Sequence, residues 1–260
     1  MKVRNPAVAG LFYPGETAEL QRQVQGYLRE ATTGSHKPKA IIVPHAGYLY
    51  SGPVAASAYA NLAPRRGRIE RVVLLGPSHR VPLQGLAVSS AGFFATPLGD
   101  VPVDREAVAH LLTLPQVRIM DEAHLLEHSL EVQLPFLQET LGEFRLVPIV
   151  VGDSTPDEVA EVLELLWGGE ETLLVISSDL SHYQDYETAR RLDRATSDAI
   201  EALSPQRIHY EDACGRNPVN GLLLAARRRG LHATTLDLRN SGDTAGPRDR
   251  VVGYGAYVLE

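Results

Sequence analysis

The sequence predicts an α/β protein, a three-layer α/β/α arrangement around a mixed, largely parallel sheet with a β-rich C-terminal part. Three observations carry this. The apolar runs AIIVP (40–44), VVLLG (72–76), LVPIVVG (146–152) and LLVISSD (173–179) are continuous rather than alternating, as in strands covered on both faces. Amphipathic stretches lie between them, which is how helices come to cover such a sheet. The chain has 260 residues, 44% hydrophobic and 22% charged, enough for a large core. One domain over residues 1–260 is therefore expected.

Taken in order, the helical patterns begin with Glu16 to Glu30 and Pro53 to Asn61. Ser129 to Thr140 is a third, where Pro135 lacks a backbone donor and predicts a kink. Pro156 to Leu166 follows, its proline suited to a first helical turn. A long pattern runs from Tyr186 to Ala202, and Val219 to Arg229 closes with basic residues and then Gly230, as helices do. LHATTLDL (231–238) and VVGYGAYVLE (251–260), separated by NSGDTAGPRD, predict two strands at a sheet edge or in a second small sheet.

Bulk properties exclude several classes. The formal charge is −7, and the longest basic run, Arg227-Arg228-Arg229, reads as a helix C-terminus rather than a nucleic-acid footprint. A single cysteine, Cys214, permits no internal disulfide. The start, MKVRNPAVAGLFYPG, has no signal-peptide core, and no window approaches the roughly 18 apolar residues of a membrane span. A cytoplasmic protein without membrane association is expected. Dinucleotide, Walker-type and nucleophile-elbow motifs are all absent.

The reactive side chains fall at strand ends. AIIVP is followed by His45, VVLLGPS by His79, and LLVISS by Asp179 and then His182. The C-terminal ends of parallel strands form the ligand crevice of open α/β sheets. Singly, each histidine reads as a loop residue and Asp179 as a turn cap. Together, each beside Gly, Pro or Ser, they point to one site, because small residues admit a ligand and Pro fixes the turn. His128, in HLLEHSLEVQLPFL, stands before a helix with Ser129 and Glu131 placed for capping, and an exposed helix start is its alternative. His36, His110, His124, His209 and His232 have no comparable setting and read as surface or packing residues.

Imidazoles with one carboxylate and open positions suit Fe(II). The same set could hold zinc with a bound water. Asp243, in NSGDTAG, is the best-placed carboxylate for a third ligand, while Asp179 could instead orient a ligand histidine from behind. His182 would then be free for acid–base work. Cys214 precedes a helix, where a thiol could be activated, but reads as a packed or turn cysteine.

Seven motifs in order, RNPAVAGLFYPG, PHAGYLYSGPVAASAY, LLGPSHR, EHSLEVQLPFL, SSDLSHY, CGRNPV and NSGDTAG-x-x-x-RVVGYGAY, resemble the Memo-like family, also called AmmeMemoRadiSam system protein B. The resemblance spans essentially the whole chain. It implies the fold of class III extradiol ring-cleaving dioxygenases, which use non-haem Fe(II) bound by two histidines and an acidic residue. Carried onto this sequence, it makes His45 and His79 the metal-binding imidazoles. His128, Asp179 and His182 match the remaining polar pocket positions; in a metal-dependent oxidoreductase His182 would act as general base, Asp179 would orient it and His128 would polarise the substrate. Asp243 supplies the third ligand, with Thr244 or Asp179 as alternatives. Animal members place a cysteine in the NSGDTAG motif; this chain has none there, Cys214 belonging to CGRNPV.

The implied function is a metal-dependent oxidoreductase acting on a small substrate. The implied cofactor is a divalent metal, Fe(II) first, with zinc or copper as alternatives. The partners implied are a small-molecule or peptide ligand and, by family association, a radical-SAM or AMMECR-type protein. A competing reading is a non-catalytic metal-handling or partner-binding protein, with Tyr13, Tyr48, Tyr50 and Tyr183 lining the cleft. A zinc hydrolase using metal-bound water is a third.

Overall fold

In a computed structural model, which describes residues 2–260, each continuous apolar run becomes a strand. In chain order the strands are β1 (Val3–Arg4), β2 (Ala40–Val43), β3 (Arg71–Pro77), β4 (Leu86–Val88), β5 (Phe93–Thr96), β6 (Gly99–Pro102), β7 (Val117–Ile119), β8 (Arg145–Val151), β9 (Thr172–Ser177), β10 (His182–Gln184), β11 (Ala233–Asn240) and β12 (Val251–Leu259). The large sheet has the order β10-β12-β2-β9-β3-β8-β4-β7, with β11 also paired to β12. At its centre β2, β9, β3 and β8 are all parallel. β4 joins antiparallel to β8, and β12 antiparallel to β2. The sheet is therefore mixed with a parallel centre, as predicted. β1, β5 and β6 form a separate small sheet.

Side chains explain the parallel centre. Every residue of β2 and β9, and 72–77 of β3, is buried, so these strands need cover on both faces. Helices supply it: α1 (Thr17–Glu30), α2 (Tyr48–Tyr59), α3 (Arg105–Leu111), α4 (Asp121–Leu125), α5 (Leu134–Leu141), α6 (Pro156–Leu165), α7 (Tyr186–Glu201), α8 (Arg216–Arg229) and α9 (Ser241–Thr244). α6 starts with a full capping box of Thr155 and Glu158, and α8 ends on Gly230 in the left-handed conformation. The two helices cross closely at Gly221, where a Cβ would lie 2.3 Å from Val159 Cγ1. Among the described residues no helix is long and apolar enough to cross a membrane.

Three local expectations change. The helix predicted over Ser129 to Thr140 is a 3-10 turn, Glu131–Gln133, followed by α5. Pro135 sits in the first turn of α5, where its missing N–H has no partner to lose, so it produces no kink. The helix predicted from Pro53 starts earlier, at Tyr48, with the proline inside it. β3 runs through Gly76 and Pro77, which pair with Val150 and Val151.

The N-terminal segment is stitched over the turn that carries His128. Glu131 is fully buried and ion-paired with Arg4. It also accepts from the Ala7 and Val8 N–H groups and the Tyr13 hydroxyl. Arg4 in turn donates to the carbonyls of His124 and Glu127. Glu131 is thus a buried tie between segments, with its charge paired and its lone pairs satisfied, rather than a helix cap.

Candidate metal centre

Parallel register aligns the strand ends. Val43 of β2 pairs with Ser177 of β9, so His45 and Asp179, each two residues on, lie side by side. The His45 N–H donates to Asp179 Oδ1 at 2.7 Å. On the other side of β9, β3 delivers His79 two residues beyond Pro77. His128 arrives from a turn rather than a strand. A Cβ on Gly76 would lie 2.8 Å from Ser129 Oγ, so a glycine there lets this turn close onto β3, where Ser129 Oγ donates to the Pro77 carbonyl.

The three imidazoles meet. One ring nitrogen from each of His45, His79 and His128 lies within 4.8 Å of the others, a separation at which one metal ion can be bound. The His79 and His128 rings stack at 4.7 Å between centroids, and His45 stands edge-on to both. They line a cavity of about 950 Å³ together with Asp179, His182 and Cys214.

Hydrogen bonds fix the tautomers. Ser177 Oγ spends its proton on the Ser129 carbonyl at 2.6 Å, so it accepts from His45 Nδ1 at 2.9 Å and from Gln133 Nε2 at 2.7 Å. His45 therefore carries its proton on Nδ1 and presents Nε2 as a lone pair. His79 Nδ1 faces Glu127 Oε1 at 2.8 Å, which likewise leaves Nε2 free. His128 Nδ1 is buried without a hydrogen-bond partner, 3.4 Å from Glu127 Oε1 and outside bonding geometry. His79 and His128 thus both turn Nδ1 toward Glu127, and carboxylate-backed imidazole is the usual support of a metal ligand.

Glu127 ties the cluster together. Its carboxylate accepts the His79, His128 and Ser129 N–H groups as well as His79 Nδ1. Burial opposes its charge, but the bonds from His79 and Ser129 prevail and hold its pKa at about 2. His45 is pushed well below the ordinary histidine value by burial, then by His79 and His128. Burial lowers His128 as well, against the pull of Glu127. Neutral imidazole is the ligand form.

Asp179 is buried and its pKa is raised by desolvation, which His182 and the His45 N–H oppose. No hydrogen bond joins Asp179 to His182 among the described residues. His182 opens β10, opposite Val252, and is followed by Tyr183 at φ 62°, a conformation uncommon outside glycine. Cys214 reaches the cluster: its Sγ lies 3.3 Å from His45 Nε2, whose lone pair can accept from the thiol. Burial, then the charge of Asp179, push this thiol up, so it stays protonated.

Asp243 is a correction. It closes a capping box with Asn240 at the start of α9 and accepts from the Tyr186 hydroxyl at 2.5 Å. It lines a different cavity, with Glu187 and Arg190, and the third member of the cluster with His45 and His79 is His128. Thr244 is equally committed, its hydroxyl donating to the Ser241 carbonyl. Of the four tyrosines expected in the cleft, only Tyr183 lines it. Tyr13 and Tyr48 are buried, bonded to Glu131 and the Val132 carbonyl.

The family profile described as Memo-like protein matches residues 4–258. The chain belongs to the Memo-like family. Among curated relatives, a MEMO1 family protein of Aeropyrum pernix is 41% identical over 281 residues, covering 98% of this chain and 99% of the relative. One from Aquifex aeolicus is 40% identical with both chains fully covered, and one from Sulfolobus acidocaldarius is 38% identical over 97% of each. The crystal structure of the uncharacterized protein JW3007 from Escherichia coli K12 is similar in fold, with TM-score 0.58 and 14% identity, covering 84% of this chain and 98% of that one. The mixed α/β architecture expected from the Memo-like resemblance is the one found.

Glu127, Ser177 and Gln133 escaped the sequence reading. Buried polar residues leave no periodic signal, and Glu127 stood in the shadow of the neighbouring histidine.

Proposed function

We propose that this Memo-like chain is a metal-dependent oxidoreductase of the non-haem type, with His45, His79 and His128 as the protein ligands and a small molecule as substrate. One observation carries the reading: two of three converging imidazoles have Nδ1 engaged by protein acceptors, so their Nε2 lone pairs are aimed at a common point. Bound Fe(II) would supply redox chemistry and open positions. His182, in the cavity wall, is placed to take a proton from a substrate hydroxyl. Asp179 offsets the positive charge that His182 then gains. Phe12, packed on His128 at 4.8 Å between rings, helps exclude water.

Metal analysis of the protein purified without added metal, alongside His79→Ala, is the first test. About one ion per chain, lost in the variant, is expected; equal metal content would remove His79 from the ligand set. Anaerobic loading with Fe(II), then oxygen uptake against a catechol panel, is the second. Bound iron with no uptake above background would remove simple catechols as substrates.

Three imidazoles without a carboxylate are also a zinc donor set, which favours metal-assisted hydrolysis as the second reading. Zinc, rather than iron, in the purified protein selects it.

A further inference from the structure

The proposed function leaves two cavity-lining groups without a task, the guanidiniums of Arg80 and Arg216. Neither forms an ion pair among the described residues, although the chain carries 32 acidic side chains against 25 Lys and Arg. Elsewhere arginines on packed elements find acids: Arg4 with Glu131, Arg71 with Asp104, Arg239 with Asp237.

Arg216 is half-buried, and its guanidinium lies 5.5 Å from the centre of the Tyr210 ring. Stacking on a ring satisfies the flat face of a guanidinium and leaves its edge N–H donors unspent. Arg216 is also the first residue of the 14-residue helix α8, whose positive end adds to the same field. Arg80 is exposed, follows the proposed ligand His79 directly and lines the same cavity. Three carboxylates share the walls. Asp179 is occupied by the His45 N–H, while Asp153 and Glu211 are exposed, and none of them bonds to either guanidinium. The rest of the lining is partly apolar, with Phe12, Val81, Leu83 and Val252.

We propose that the cavity takes a small organic anion: an apolar body carrying a carboxylate or phosphate, received by Arg216 and Arg80. This deepens, and rests on, the reading of the cavity as a metal-dependent active site. Guanidinium forks match either oxyanion, and charge-assisted bonds of this kind are the strong ones. The two arginines are specificity residues, placed to hold the substrate while its other end faces the histidines.

The test is calorimetric titration of the purified protein with benzoate, phenyl phosphate and neutral benzamide, on wild type, Arg216→Gln, Arg80→Gln and the double variant. At least one anion is expected to bind roughly tenfold or more tighter than benzamide. Each single substitution should reduce that preference, and the double should erase it. Whichever anion is preferred names the oxyanion. Equal affinity for benzamide, no binding of either anion at millimolar concentration, or a preference that survives the double substitution overturns the proposal. Thermal melts check folding; if a variant fails to fold, the anion-to-benzamide contrast in wild type still decides.

Metal content of the same samples separates the two readings. Metal without anion preference sinks this inference and leaves the metal centre standing. Anion preference in a chain that binds no metal does the reverse.

Discussion

His79 donates twice to Glu127: its ring Nδ1–H reaches Oε1 at 2.8 Å and its backbone N–H reaches Oε2 at 2.6 Å. One carboxylate thereby fixes both the position and the tautomer of a proposed ligand. It also accepts the backbone N–H of His128, so two of the three histidines hang on one side chain.

Glu127→Gln tests this. The amide keeps one accepting oxygen but presents an N–H₂ group where another donor now points. Metal affinity is expected to fall about 10- to 100-fold, the usual effect of losing an outer partner of a ligand histidine. Competition titration with a chromogenic chelator measures it. An unchanged affinity would show that Glu127 only packs.

Ser177→Ala addresses the other tautomer. It removes the acceptor for His45 Nδ1 and for Gln133 Nε2, and the donor to the Ser129 carbonyl. Gln133 keeps its bond to the Pro44 carbonyl, so part of the network survives. Loss of stability by about 1–3 kcal/mol is expected, from leaving buried polar groups unsatisfied. Chemical denaturation reads that loss, and a metal titration reads the tautomer. A destabilised variant with wild-type metal affinity would contradict the aiming role of Ser177.

Asp193 supplies a pH signature away from the cluster. It is buried on α7, accepts the Ser181 N–H at 3.0 Å, and burial raises its pKa to about 6. The folded state therefore holds this proton where the unfolded chain, near 3.8, has released it. Stability from this group is full below about pH 4 and is lost as pH rises through 6. Asp193→Asn keeps an acceptor for Ser181 and cannot ionise. Its stability relative to wild type should rise by about 2 kcal/mol from pH 4 to pH 7. Urea melts at the two pH values decide; a constant difference would mean that Asp193 titrates normally.

The sheet was legible because its central strands are covered on both faces, and such strands read as unbroken apolar runs such as Val72 to Leu75. His45, His79 and Asp179 were legible for a related reason: parallel strands bring their C-terminal ends to one edge. His128 was harder to read, since its turn has no period and its neighbouring glutamate resembles a helix cap. Asp243 misled because a carboxylate near a family motif invites a ligand reading. The local pattern Asn240-Ser-Gly-Asp243 carried the correction, being a capping box that consumes the side chain. Cys214 illustrates a limit of another kind. Its closeness to His45 spans 169 positions and depends on how α8 docks against β9.

The hydrogen bond from His45 to Ser177 joins residues 132 positions apart. During synthesis, His45 leaves the ribosome long before the group that aims it exists. On the proposed reading, the emerging chain is a loose collection of imidazoles and only the completed sheet would hold a cation, which would couple metal binding to the last stages of folding.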